Sequence, residues 1–142
     1  AIEIMPGYSD AWGQIGLAYF RLNNYPEAEK AYLKSIESNE ANATAYSNLG
    51  TLYFISKRYE QAKQAYQNAL RYNPNHIDAN ANYAATLATT GDLNSAITYY
   101  KRAINLKPSE PSYYQMVGIT YQSLGDAQQA NFYLQKAQQL AN

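Results

Sequence analysis

The chain of 142 residues has no cysteine, one histidine and one tryptophan. Without thiols there is no disulfide framework, no thiolate nucleophile and no cysteine-based metal site. Net charge is missing too. Eleven basic residues balance eleven acidic ones, so the long-range field that gathers phosphates or anionic lipid is absent and nucleic acid is not an expected partner. No apolar run reaches the ~18 residues that a bilayer span requires, and the first residues show neither the basic start nor the apolar core of a secretory signal. No membrane insertion of this chain is expected; its compartment is left open, with the cytoplasm as the working expectation. The single His76 follows Pro74 in a connection, with no serine and carboxylate arranged about it, and reads as a loop residue rather than a general base. Carboxylates are scattered rather than set at ligand spacing, and glycines are spread out rather than gathered into a phosphate loop. No catalytic residue, metal site or cofactor is expected, and the chain is not expected to be an enzyme.

What the sequence does contain is a period. Trp12-x-x-Ile15-Gly16-x-x-Tyr19 is followed by Tyr46-x-x-Leu49-Gly50-x-x-Tyr53, Asn80-x-x-Tyr83-Ala84-x-x-Leu87 and Tyr114-x-x-Val117-Gly118-x-x-Tyr121. Each start lies 34 residues after the one before (46 − 12, 80 − 46, 114 − 80). A second series keeps step: Ala28-x-x-x-Tyr32, Ala62-x-x-x-Tyr66, Ala96-x-x-x-Tyr100 and Ala130-x-x-x-Leu134. Pro74 and Pro108 close two units, Pro6 stands one unit further back, and Glu40 occupies the place where a further proline would complete the set.

Within each unit the first series recurs at i, i+3, i+4 and i+7, which puts one stripe on one side of a helix. The small residue in it, Gly16, Gly50, Ala84 or Gly118, is costly in a helix interior when it is glycine, by ~1 kcal/mol relative to alanine. Close helix approach is the compensation expected there. Asn23-Asn24, Lys57-Arg58, Gly91-Asp92 and Gly125-Asp126 mark turns in which a residue takes the left-handed conformation, for which Lys57 is ill suited. Pro26 and Pro111 fit the first turn of a helix, where a missing donor is harmless. The prediction is an all-α chain of eight helices in four antiparallel hairpins. Most of the 16 tyrosines, including Tyr19, Tyr32, Tyr46, Tyr53, Tyr66, Tyr100, Tyr114 and Tyr121, fall on these repeat positions and are expected in the core.

A 34-residue unit with W-x-x-L-G-x-x-Y, A-x-x-x-F and a closing proline resembles the tetratricopeptide repeat (TPR) family over the whole chain. The resemblance implies an α-solenoid of helix hairpins, the TPR superhelix, with repeats at 9–42, 43–76, 77–110 and 111–142. Ala1, Ile2 and Pro6 match Ala69, Leu70 and Pro74, so residues 1–8 read as the tail of a preceding repeat, with the natural N-terminus upstream. The column Ile2, Ile36, Leu70, Ile104 ends at Gln138, and the last helix carries Gln128, Gln129, Asn131, Gln135 and Gln139, as the capping helix of an array should.

The resemblance also implies a function. The first helices of the hairpins would line a concave groove that takes an extended or helical segment of a partner protein. The groove residues it implies are Leu17, Phe20 and Arg21; Asn48, Thr51, Phe54 and Ile55; Asn82, Ala85 and Thr89; and Ile119, with Asp10, Gly13 and Thr44 also facing inward. Gln14, Asn48 and Asn82 form a ladder of amides able to donate to and accept from a peptide backbone, which resembles that of arrays fused to O-linked N-acetylglucosamine transferases and ends at Met116. Burial between hairpins is the competing reading for Phe20 and Phe54, and a structural hydrogen bond for Asn48 and Asn82. The lysine, asparagine and arginine that clamp chaperone C-terminal carboxylates in this family are replaced by Gly13, Leu17, Asn48, Asp78 and Asn82, and Asp78 would repel a carboxylate. Asn42-Ala43-Thr44 is a formal glycosylation sequon of little weight. A protein-interaction scaffold is therefore the leading expectation. A self-assembling homo-oligomeric scaffold and the TPR arm of a larger enzyme such as a glycosyltransferase are the alternatives.

Overall fold

The turns at 23, 57, 91 and 125 set the architecture. The computed structural model describes residues 7–142, so the matches at Ala1, Ile2 and Pro6 lie outside the described residues. In it Asn23, Lys57, Gly91 and Gly125 all take positive φ, at 61°, 62°, 95° and 82°. In each case the next residue's N–H reaches back to the carbonyl five positions earlier: Asn24 to Tyr19, Arg58 to Tyr53, Asp92 to Leu87 and Asp126 to Tyr121, at 2.8–3.0 Å. That bond satisfies a carbonyl the helix end would otherwise leave orphaned. Glycine accepts this backbone at no steric penalty and asparagine at little, whereas Lys57 holds it under strain.

The described residues form eight helices and no strand: α1 Tyr8–Arg21, α2 Tyr25–Ser38, α3 Ala43–Ile55, α4 Tyr59–Tyr72, α5 Ile77–Thr89, α6 Leu93–Leu106, α7 Pro111–Leu124 and α8 Ala127–Ala141. Pro26 and Pro111 sit in the first turns of α2 and α7. The chain divides into two units, residues 1–76 and 77–142. In the first unit α1 pairs with α2 and α3 with α4, and α2 packs on α3. In the second α5 pairs with α6 and α7 with α8, and α6 packs on α7.

Each hairpin is locked by one contact. A Cβ placed on Gly16 would lie 2.6 Å from the Tyr32 ring, and one on Gly50 would lie 2.7 Å from the Tyr66 ring. On Gly118 it would meet Leu134 Cγ at 2.6 Å. The residue that requires the missing side chain is thus the large one sixteen positions later, which lies flat on the glycine backbone. The third hairpin has Ala84, fully buried with Tyr100, so a methyl is tolerated there. Ala28, Ala62, Ala96 and Ala130, buried to within 1 %, let the paired helices close on each other. Of the repeat-position tyrosines, Tyr32, Tyr53, Tyr66, Tyr100 and Tyr114 are buried and Tyr19, Tyr46 and Tyr121 half-buried.

Cations tie neighbouring hairpins inside each unit. In the first, Arg58 Nη1 pairs with Glu29 at 2.7 Å while its guanidinium lies 4.4 Å from the centroid of the Tyr53 ring. In the second, the Lys101 ammonium donates to the Tyr121 hydroxyl at 3.0 Å and lies 5.7 Å from the Tyr133 ring. The first hairpin also carries a polar knot. The Ser9 hydroxyl donates to the Ser35 carbonyl and the Ser35 hydroxyl to the Ser9 carbonyl, both at 2.7 Å, and the Asn42 amide donates to Ser9 Oγ at 2.8 Å. At the next period the serine positions read Ala43 and Ala69, so the knot belongs to this hairpin alone.

The stacking faces are unequal. Leu49 on α3 is 4 % exposed and Val117 on α7 is fully buried, each on a helix with another packed before it. Ile15 holds the same repeat position on α1, where no earlier helix is packed among the described residues, and is 42 % exposed.

Candidate functional site

The helical stripe Asp10, Gly13, Gln14 and Leu17 on α1 faces Thr44, Ala45 and Asn48 on α3. Together with Asn42 they line a hollow of about 370 Å³ in the first unit. Spacing i, i+3, i+4, i+7 keeps the α1 set on one face. The floor is Gly13, where a Cβ would stand 3.6 Å from Ser35 Oγ.

The hollow has fixed and unfixed walls. Asn42 is fixed: its carbonyl oxygen accepts the Ala45 N–H at the start of α3 while its amide nitrogen donates into the serine knot. A glycan on that nitrogen would break the knot, so the sequon is not an accessible acceptor. Thr44 Oγ1 lies 3.3 Å from His76 Nε2, which places the single histidine at the rim. Gln14 and Asn48 are different. Among the described residues neither amide group has a hydrogen-bond partner, and the structural bond that competed with peptide capture for Asn48 is not formed. The lining therefore offers two uncommitted amides, one carboxylate, and apolar surface from the half-buried Leu17.

The other groove candidates are used differently. Phe20 packs on Tyr25 and Phe54 on Tyr59, each with ring centroids 5.5 Å apart. These contacts close the hairpin's own turn; they are not burial between hairpins. Thr51 Oγ1 is engaged by the Ser47 carbonyl at 3.1 Å and the Tyr66 hydroxyl at 2.9 Å. Arg21 and Ile55 are exposed at the ends of α1 and α3. In the second unit Asn82 and Ala85 are half-buried, and Thr89 and Ile119 exposed. The Thr89 hydroxyl is spent on the Ala85 carbonyl at 2.8 Å. Sequence reasoning reached Asp10, Gly13, Gln14, Leu17, Thr44 and Asn48 but missed Asn42 and the buried Ala45. The signal for Asn42 was an asparagine immediately before a helix, facing two serines where the other hairpins carry mainly alanine. Among the described residues no group of three or more His, Cys, Asp or Glu side chains is gathered to hold a metal, and no helix is long and apolar enough to cross a membrane.

Consecutive helix pairs with a fixed repeat define an α-solenoid repeat protein. The chain belongs to the tetratricopeptide repeat family: the profile of the cytochrome c-type biogenesis protein H TPR domain matches residues 34–142, and that of the tetratricopeptide repeat matches residues 9–42. Solved structures of MamA are similar. One crystal structure of MamA is 25 % identical, with a TM-score of 0.89 over 96 % of this chain and 80 % of that one. A second MamA crystal structure, also 25 % identical, gives 0.87 over 95 % and 74 %. MamA 41-end from Desulfovibrio magneticus RS-1, at 20 % identity, gives 0.85 over 96 % and 77 %. No curated protein matches the chain significantly.

Proposed function

We propose that the chain is a protein-interaction scaffold that takes a segment of a partner protein along the first helices of its hairpins, with no catalytic step of its own. The observation that carries this reading is the hollow between α1 and α3 with its uncommitted Gln14 and Asn48 amides. Side-chain amides both donate and accept, so they match a peptide backbone in extended conformation. They also leave Leu17 to meet an apolar side chain. Asn82, one period beyond Asn48, would serve the same purpose on the second unit, with Ala85 and Thr89 on the same helix and Ile119 on α7.

The test is a pull-down from source-organism lysate with the chain and with a Leu17→Asp, Asn48→Ala variant, each followed by circular dichroism melting. The expected result is a partner lost from the variant at a midpoint lowered by less than about 4 °C, equivalent to under ~1 kcal/mol in a domain of this size. Binding lost only in proportion to unfolding would defeat the assignment.

A second reading, self-association, rests on the apolar face that Tyr8, Ile15 and Leu22 expose on α1. A mass in solution that rises with concentration, and falls back with Ile15→Lys, would favour it.

A further inference from the structure

The hollow carries one charge. Asp10 stands exposed in the first turn of α1, and among the described residues it makes no ion pair. A carboxylate at a helix start is favourable on its own account, and that would be its whole role if it faced open solvent. Here it stands on the same wall as Gln14 and Leu17, across from Asn48, and no lysine or arginine lines the hollow. The same repeat position carries a second exposed carboxylate, Asp78, two periods later.

Resting on the peptide-site reading above, we propose that the hollow selects partner segments bearing a lysine or arginine opposite Asp10 and rejects acidic ones. The ammonium or guanidinium meets the Asp10 carboxylate at the rim while the aliphatic stem lies on Leu17, as long cationic side chains do on apolar surface. The Gln14 and Asn48 amides hold the backbone on either side. An acidic segment would bring like charge to the one carboxylate in the lining and find no cation in compensation.

The test uses the whole chain, labelled with nitrogen-15, and three capped synthetic peptides of glycine, serine and leucine that differ only in a central Lys, Gln or Glu. The expected result is movement of the Gln14 and Asn48 side-chain amide signals, with the Lys peptide binding about threefold tighter than the Gln peptide, the size of an exposed ion pair, and the Glu peptide weakest. Asp10→Asn is expected to remove the difference between the Lys and Gln peptides. Equal affinities for all three peptides, or a Lys preference that survives Asp10→Asn, would overturn the charge selection and leave the peptide site standing. If no peptide moves the two amides at millimolar concentration, the peptide site falls and the selection with it.

Discussion

Tyr66 and Tyr100 hold the same place in successive repeats, yet their hydroxyls end differently. Tyr66 reaches the Thr51 hydroxyl at 2.9 Å. One period later the threonine is Ala85, and the buried Tyr100 hydroxyl has no hydrogen-bond partner among the described residues. A buried unsatisfied hydroxyl costs about 1–3 kcal/mol. Ala85→Thr restores the arrangement seen at Thr51, whose side chain also donates to the carbonyl four residues back. We expect it to raise stability by about 1 kcal/mol, read as a higher urea midpoint with an unchanged slope. At this scale the sequence revealed which residues repeat but not what they bond to. Thr51 reads as groove-facing from its register, and only the distance across to α4 reveals that its hydroxyl is taken. Phe20 and Phe54 were ambiguous for the same reason: their ring partners, Tyr25 and Tyr59, lie beyond a turn whose geometry decides whether the rings meet. Lys57, by contrast, was recognisable as a misfit from the turn alone, because three of the four equivalent positions carry glycine or asparagine.

Among elements, the hairpin is the unit that repeats, and its lock is the glycine under a tyrosine or leucine. The helices, their pairing and the reason for the small residue were legible, since a 3.6-residue stripe inside a 34-residue period leaves few other arrangements. The identity of the covering group became plain only with the Tyr32, Tyr66 and Leu134 side chains in place. Gly50→Leu would drive a branched side chain into the Tyr66 ring, which is 1 % exposed, with no free space to receive it. Its better helix propensity returns under ~1 kcal/mol, against overpacking of up to about 3 kcal/mol. A net loss of about 2 kcal/mol is expected in a circular dichroism melt, and an unchanged melt would refute the packing argument. The candidate site was half legible at this level. The α1 stripe follows from register, whereas the pinning of Asn42 by the Ser9 and Ser35 knot depends on two substitutions within one hairpin.

For the molecule as a whole, three of the buried tyrosines set an alkaline limit. Burial pushes Tyr32, Tyr66 and Tyr100 up to about 12 from the ordinary value near 10. Between those pH values the unfolded chain loses these protons while the folded chain keeps them. Folding then becomes less favourable as pH rises, by the linkage between proton binding and stability. This part of the stability is fully present below about pH 10 and lost as pH climbs toward 12. A spectrophotometric titration is expected to show a late group of tyrosines ionising together with loss of helical signal. Ionisation of all tyrosines in one early, non-cooperative step would contradict the burial.

The lock also bears on how such a chain changes length. Since Gly16, Gly50 and Gly118 each meet their covering side chain within the same hairpin, the specific fit that a repeat needs travels with it in any gene duplication. What a copied hairpin must negotiate with new neighbours is mainly an apolar face of the kind Ile15 presents, which demands shape and greasiness more than a unique partner. Residues that distinguish one hairpin from another, such as the Ser9 and Ser35 pair, stand apart from the lock. Substitution can therefore vary the surface hairpin by hairpin while the copied framework stays fixed.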